Sequence, residues 1–160
     1  MDALTNEELD TASGLKWSVP TPFVAKVQVQ TVHMDEYRHT NNVVYLSWIQ
    51  DIARLHSATQ GLTFEDYVQL GVGCVARKHD IHYVQPSYAG DTLYVATWVQ
   101  RNEGRSDMWR ATEFIRKQDG ALIAKGLTQW VCVDMATGRP KRQPPVFLSA
   151  YSTHPALSNT

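Results

Sequence analysis

One window of this chain constrains the rest. Across residues 42–60, Val44, Leu46, Trp48, Ile49, Ile52, Ala53 and Leu55 recur near helical spacing, in a set wide enough for burial on more than one side. Asn41 suits its start, because a short side-chain oxygen accepts from the first free backbone N–H groups, and Gly61 suits its end. Residues 62–70 read as a short helical turn capped by Thr63, with Phe64, Tyr67 and Leu70 facing inward. Everything beyond has strand texture: residues 74–85, 91–100, 108–117 and 122–133, separated by short turns at 86–90, Asn102-Glu103-Gly104 and Asp119-Gly120. One further alternating stretch, residues 23–32, precedes the helix. Short turns between consecutive strands require antiparallel pairing. The expectation is an α+β layer fold, one long helix wrapped by a curved antiparallel sheet of about five strands.

Size and charge narrow the role. A chain of 160 residues, 43% apolar, fits one domain, and a formal net charge of -1 gives no pull toward nucleic acid. Residues 1–20 are polar and acidic and are expected to form an arm. Residues 21–150 make the domain and 151–160 a tail. No basic region followed by an apolar run opens the chain, and no window approaches a membrane span, so a cytoplasmic protein is expected. Cys74 and Cys132 sit in apolar runs without metal-ligand spacing, which reads as reduced core thiols.

The polar residues are concentrated just ahead of the helix: Asp35, Arg38, His39, Asn41 and Asn42. The run Asp35-Glu36-Tyr37-Arg38-His39-Thr40-Asn41-Asn42-Val43-Val44-Tyr45, followed by Trp48 and Ala53-Arg54, resembles the signature of 4-hydroxybenzoyl-CoA thioesterase-like hotdog proteins. That signature is an Asp, a few residues, His-Val-Asn-Asn, and an aromatic helix ending in Ala-Arg. Pro86-Ser87-Tyr88-Ala89-Gly90-Asp91 resembles the family's turn into its next strand, and Asp134 to Pro140 its closing turn. The segment is also similar to one in acyl-ACP thioesterases, although Tyr37 stands where those carry asparagine. Thr40 replaces the valine common in the first family.

The resemblance implies a hotdog fold and hydrolysis of an acyl-CoA thioester to a free acid and coenzyme A. It places the catalytic carboxylate on Asp35, as nucleophile or general base, and the carbonyl-polarising backbone N–H at Asn42. His39 orients water, substrate or the carboxylate. Arg101 and Arg105 lie where the family often presents basic residues to the coenzyme A phosphates. No metal or redox cofactor is implied, since coenzyme A is part of the substrate. Family members bury a sheet edge and a half-open acyl pocket between copies, so a homodimer or homotetramer is expected. Thioester chemistry agrees with these roles: the leaving thiol titrates near ~8.5, so a carboxylate and oxyanion donors meet most of the demand.

Each residue also has a plainer reading. An Asp ahead of a helix commonly serves a turn or cap, and an arginine beside a turn is commonly only solvated. His33, His79 and His82 read as surface or interface residues, Trp48, Trp98, Trp109 and Trp130 as core or pocket wall, and Arg54 as a structural ion-pair partner. Three other functions remain open: acyl-ACP thioesterase, a hydratase on the same scaffold, and a non-catalytic acyl-CoA-binding protein. The aromatic content of 10% suits an aromatic or a long aliphatic acyl group alike.

Overall fold

The computed structural model describes residues 1–158. The elements are β1 (Asp2–Ala3), α1 (Asn6–Ser13), β2 (Phe23–Gln28), a 3-10 turn (Thr31–His33), α2 (Asn42–Thr59), α3 (Phe64–Leu70), β3 (Val72–Tyr83), β4 (Thr92–Asn102), β5 (Asp107–Arg116), β6 (Leu122–Asp134) and α4 (Pro145–Ala150). The six strands form one antiparallel sheet in the order β1-β2-β4-β5-β6-β3. No helix among the described residues is long and apolar enough to cross a membrane.

The chain divides into two compact units. The first holds Met1–Ala53, Ile81–Thr97 and Thr112–Gly126, and the second Arg54–Asp80, Trp98–Ala111 and Leu127–Thr160. In the first, β2 pairs with β4 so that Ala25 faces Val95 and Val27 faces Leu93, and all four are buried. Helix α2 lays Tyr45 and Trp48 against Phe114 of β5, with ring centroids 5.3 and 6.3 Å apart, and seats Ile49 and Ile52 beside them in the buried core. The strand expected across residues 23–32 stops at Gln28. Beyond it, His33 N–H returns to the Gln30 carbonyl at 2.9 Å and Gln30 N–H to His33 Nδ1 at 3.0 Å, closing a turn. His33 is thereby half-buried, its ring edge-on to Trp48.

The N-terminal residues are held by their own contacts. β1 extends the sheet beside β2, and a Thr5–Glu8 capping box starts α1. Lys26 Nζ reaches both Glu8 carboxylate oxygens at 2.9 and 2.8 Å, which holds that carboxyl down at about 2. Ser18 donates to the buried Glu113 carboxylate through its backbone N–H at 3.0 Å and through its hydroxyl.

In the second unit, Leu62, Val72, Val99, Met108, Cys132, Phe147 and Tyr151 form the apolar cluster. Thr63 caps α3 through Asp66 as expected, but only Tyr67 packs inward. Phe64 is 71% exposed and Leu70 39%. The three span a wide arc of so short a helix, and Leu62, ahead of the cap, fills the core position instead. Cys74 and Cys132 are free thiols, and burial pushes Cys74 up to about 12, which makes it inert. His79, half-buried, is tied to Thr128 Oγ1 at 2.9 Å.

A charge lies inside this cluster. Arg110 of β5 is buried, its Nη1 donates to His56 Nδ1 at 2.7 Å, and its guanidinium sits 5.6 Å from the Tyr151 ring centre. Because Arg can only donate, His56 Nδ1 accepts and the imidazole is neutral. Burial, and then the arginine charge, depress His56 from 6.5 to about 4. Between those values the unfolded chain binds a proton that the folded chain refuses, so stability falls as pH drops from 6.5 toward 4 and is constant for this group above 6.5. The gap corresponds to at most about 3 kcal/mol, reduced by the residual exposure of the ring. Urea denaturation of the wild type and His56→Gln at pH 7, 5 and 4 measures it. Equal pH dependence in the two proteins contradicts the assignment.

Candidate active site

The site residues expected from sequence fall in two groups. Asp35, His39 and Asn42 lie in the first unit, and Arg101 and Arg105 in the second.

Residues 35–39 form a closed loop. Asp35 N–H donates to the His39 carbonyl at 2.8 Å, Arg38 N–H to the Asp35 carbonyl at 3.0 Å, and Met34 pairs with Thr40 across its base. Arg38 closes it at φ 62°, a left-handed conformation that costs a non-glycine residue on the order of 1 kcal/mol. Inside the loop, one Asp35 oxygen is occupied: Oδ1 accepts from Tyr37 N–H at 2.9 Å and His39 N–H at 3.2 Å. Among the described residues nothing binds Oδ2. The carboxylate is held by one oxygen and presents the other.

The helix start follows directly. Asn41 Oδ1 accepts from Val43 N–H at 3.0 Å and the Asn41 carbonyl from Val44 N–H at 2.9 Å, so the expected cap is Asn41. The Asn42 N–H, one of the amides that a helix start leaves without an intrahelical partner, donates to no group among the described residues. Its carbonyl accepts from Tyr83 OH at 3.1 Å. The exposed His39 ring stands edge-on to Tyr88 at 5.3 Å.

Sequence reasoning passed over the group beneath this loop. Thr40, Ser87 and Tyr45 are all buried. Thr40 N–H and Oγ1 donate to the Ser87 carbonyl at 2.9 and 3.1 Å, while Ser87 Oγ lies 2.6 Å from Thr40 Oγ1 and 2.7 Å from Tyr45 OH. Burial raises the Tyr45 phenol, keeping it a proton donor. The only sequence signal was the Pro86-to-Asp91 turn itself. Around the site, Tyr37 (81%) and Val43 (70%) are largely exposed, with Tyr83 and Tyr88 also open.

In the second unit, Arg101 lines a cavity of about 700 Å³ together with Trp109, Leu127 and Leu157. Glu103 stands between Arg101 and Arg105 at 3.9 and 3.8 Å, long and exposed contacts that contribute little. Arg105 does not line the cavity among the residues found there. Arg54 is exposed and makes no ion pair among the described residues.

The long helix and the antiparallel sheet define a protein of the hotdog fold, and the sequence profile makes it a thioester hydrolase. The chain belongs to the thioesterase-like superfamily, whose sequence profile matches residues 29–151. It is 25% identical over 112 residues to the long-chain acyl-CoA thioesterase FadM of Escherichia coli, a match spanning 70% of this chain and 83% of that one. Two solved structures share the fold. The 1,4-dihydroxy-2-naphthoyl-CoA thioesterase Slr0204 of Synechocystis superposes with a TM-score of 0.74 at 16% identity, over 82% of this chain and 96% of its own. SAV2348 of Staphylococcus aureus, solved in complex with CoA, gives 0.76 at 15% identity, over 84% of each chain.

Proposed function

We propose that the substrate is an acyl-CoA and that Asp35 and the Asn42 N–H carry out its hydrolysis. The observation that carries this reading is the half-engaged carboxylate: Oδ1 is fixed by two backbone N–H groups, while Oδ2 remains unengaged one short segment before a capped helix start. Oδ2 either attacks the thioester carbonyl or takes the proton of an attacking water. The carbonyl oxygen gains negative charge as the C–O bond forms, and the Asn42 N–H with the positive helix end offsets that charge. The C–S bond then breaks and the thiolate leaves, taking up a proton; where Oδ2 itself has attacked, water then cleaves the acyl–Asp35 anhydride, releasing the acid and restoring the carboxylate. His39, exposed beside Tyr88, orients water or substrate. The likeness to FadM supports coenzyme A over a carrier protein. Arg101 and Arg105, exposed and loosely paired, take the coenzyme A phosphates.

Thiol release from a panel of acyl-CoAs, run beside the matching acyl-carrier-protein esters, tests the substrate class. Faster turnover of the carrier esters overturns the coenzyme A assignment. Binding without any thiol release would mark a non-catalytic protein. The exposed apolar residues around the loop, Tyr37, Val43, Tyr83 and Tyr88, suit burial against a second copy, and we propose a homodimer as the smallest working form. Light scattering is expected to give twice the chain mass, and a monomer at assay concentration contradicts it.

A further inference from the structure

Thr40 joins the carboxylate loop to the helix start, and it departs from the valine common in the family the segment resembles. Its hydroxyl is fully employed. Thr40 Oγ1 donates to the Ser87 carbonyl, which makes it the acceptor of the 2.6 Å contact with Ser87 Oγ. Ser87 Oγ, having given its proton to Thr40, accepts from the Tyr45 phenol at 2.7 Å. Two protons thus run from helix to turn to loop, and the third returns from Thr40 to the turn at the Ser87 carbonyl, with every donor satisfied.

The turn at the centre of this chain is itself braced. Arg116 Nη1 donates to the Pro86 carbonyl at 3.3 Å and to Asp91 Oδ2 at 3.2 Å, and Asp91 Oδ2 also accepts from Tyr88 N–H at 3.0 Å. Ser87 and Tyr88 therefore reach the loop as a rigid pair, Ser87 meeting Thr40 below and Tyr88 meeting the His39 ring above. Thr40 is flanked by His39, whose N–H and carbonyl both bind Asp35, and by Asn41, which caps α2.

We infer that Thr40, Ser87 and Tyr45 are positioning residues for the hydrolysis. Their hydroxyl chain fixes the Asp35 loop relative to the start of α2, so that Oδ2 and the Asn42 N–H address one carbonyl. None of the three touches substrate. The inference rests on the Asp35 and Asn42 roles proposed above. Small displacements of reacting groups are costly, with up to ~100-fold lost for ~1 Å, so the loss of this link reads out in turnover.

Thr40→Val keeps the side-chain shape and removes the hydroxyl, and Ser87→Ala removes the central link. Each is expected to lower kcat for acyl-CoA hydrolysis about ten-fold with KM within about two-fold of wild type. The double variant is expected to be no more than about two-fold worse than the poorer single one, because both cut the same chain. Tyr45→Phe, which keeps the ring packing on Phe114, provides a third cut should either of the others fail to fold. Unchanged kcat in a folded Thr40→Val or Tyr45→Phe protein overturns the inference, as does full additivity in the double variant. NMR separates this failure from that of the parent reading. If wild type releases no thiol from any acyl-CoA, the catalytic assignment has failed. The positioning claim is then decided by the Asn42 amide shift and the His39–Tyr88 ring NOE: movement in Thr40→Val supports it, and unchanged signals overturn it.

Discussion

Asp35→Asn is expected to lower kcat for acyl-CoA hydrolysis by about 100-fold or more, the scale on which a positioned base or nucleophile contributes, with KM little changed. The substitution is conservative where it touches the protein: the amide oxygen still accepts from Tyr37 and His39, so the loop closes as before. What changes is the group at the Oδ2 position, which becomes an N–H donor that neither attacks a carbonyl nor accepts a proton from water. A loss in kcat and kcat/KM together is the signature of an interaction made only in the transition state. Steady-state thiol release, with melting temperatures matched to within a few degrees, measures it. Undiminished turnover in the variant would remove Asp35 from the mechanism and leave His39 as the nearest alternative base.

Arg110 is expected to dominate stability, with a sign that depends on what replaces it. Arg110→Ala leaves a void against Tyr151 and strips His56 Nδ1 of its donor. A loss of about 3 kcal/mol is expected, near the lower end for breaking a buried polar pair and within the range for core truncation. For a chain of this size that lowers the melting temperature by roughly 10 °C. Arg110→Met should fare much better, within about 1 kcal/mol of wild type. It fills the same space and removes a guanidinium whose Nη2 finds no partner among the described residues. Calorimetry on both variants decides. If Ala and Met cost the same, the guanidinium contributes through its polar contacts and not through the volume it fills.

The two sites differ in how far the sequence foretold them. Asp35, His39 and Asn41 lie in one contiguous run whose geometry is set by local bonds: an aspartate accepting from residues two and four further on, and an asparagine capping the helix that follows. Local bonds of this kind are written in residue order, so the loop and the α2 start were legible. Ser87 meets Thr40 from 47 residues away, across a contact that exists only because β4 leaves its turn at that point. Arg110 offered one signal. In a strand, Met108, Arg110, Thr112 and Phe114 share a face, and two of those four are plainly core residues. A charge on that face looks like an interruption of the pattern until its partners from α2 and the C-terminal segment are known.

The strands show the same division. Asp119-Gly120 was expected to form a tight turn, and Gly120 adopts φ 68° with its N–H on the Arg116 carbonyl at 2.8 Å. Helix α1 was not foreseen, because Asn6 to Ser13 carry almost no apolar stripe. A capping box and the reach of Lys26 from β2 hold it instead. By itself, then, the sequence determined the long helix, the strand succession and the carboxylate segment, since periodicity, turn chemistry and capping act over a few residues. Only the tertiary structure decided which second elements meet them: the Ser87 turn under the loop, the arginine inside the apolar cluster, the docked N-terminus. Those pairings arise from burial and sheet order, which bring together residues that no local rule relates.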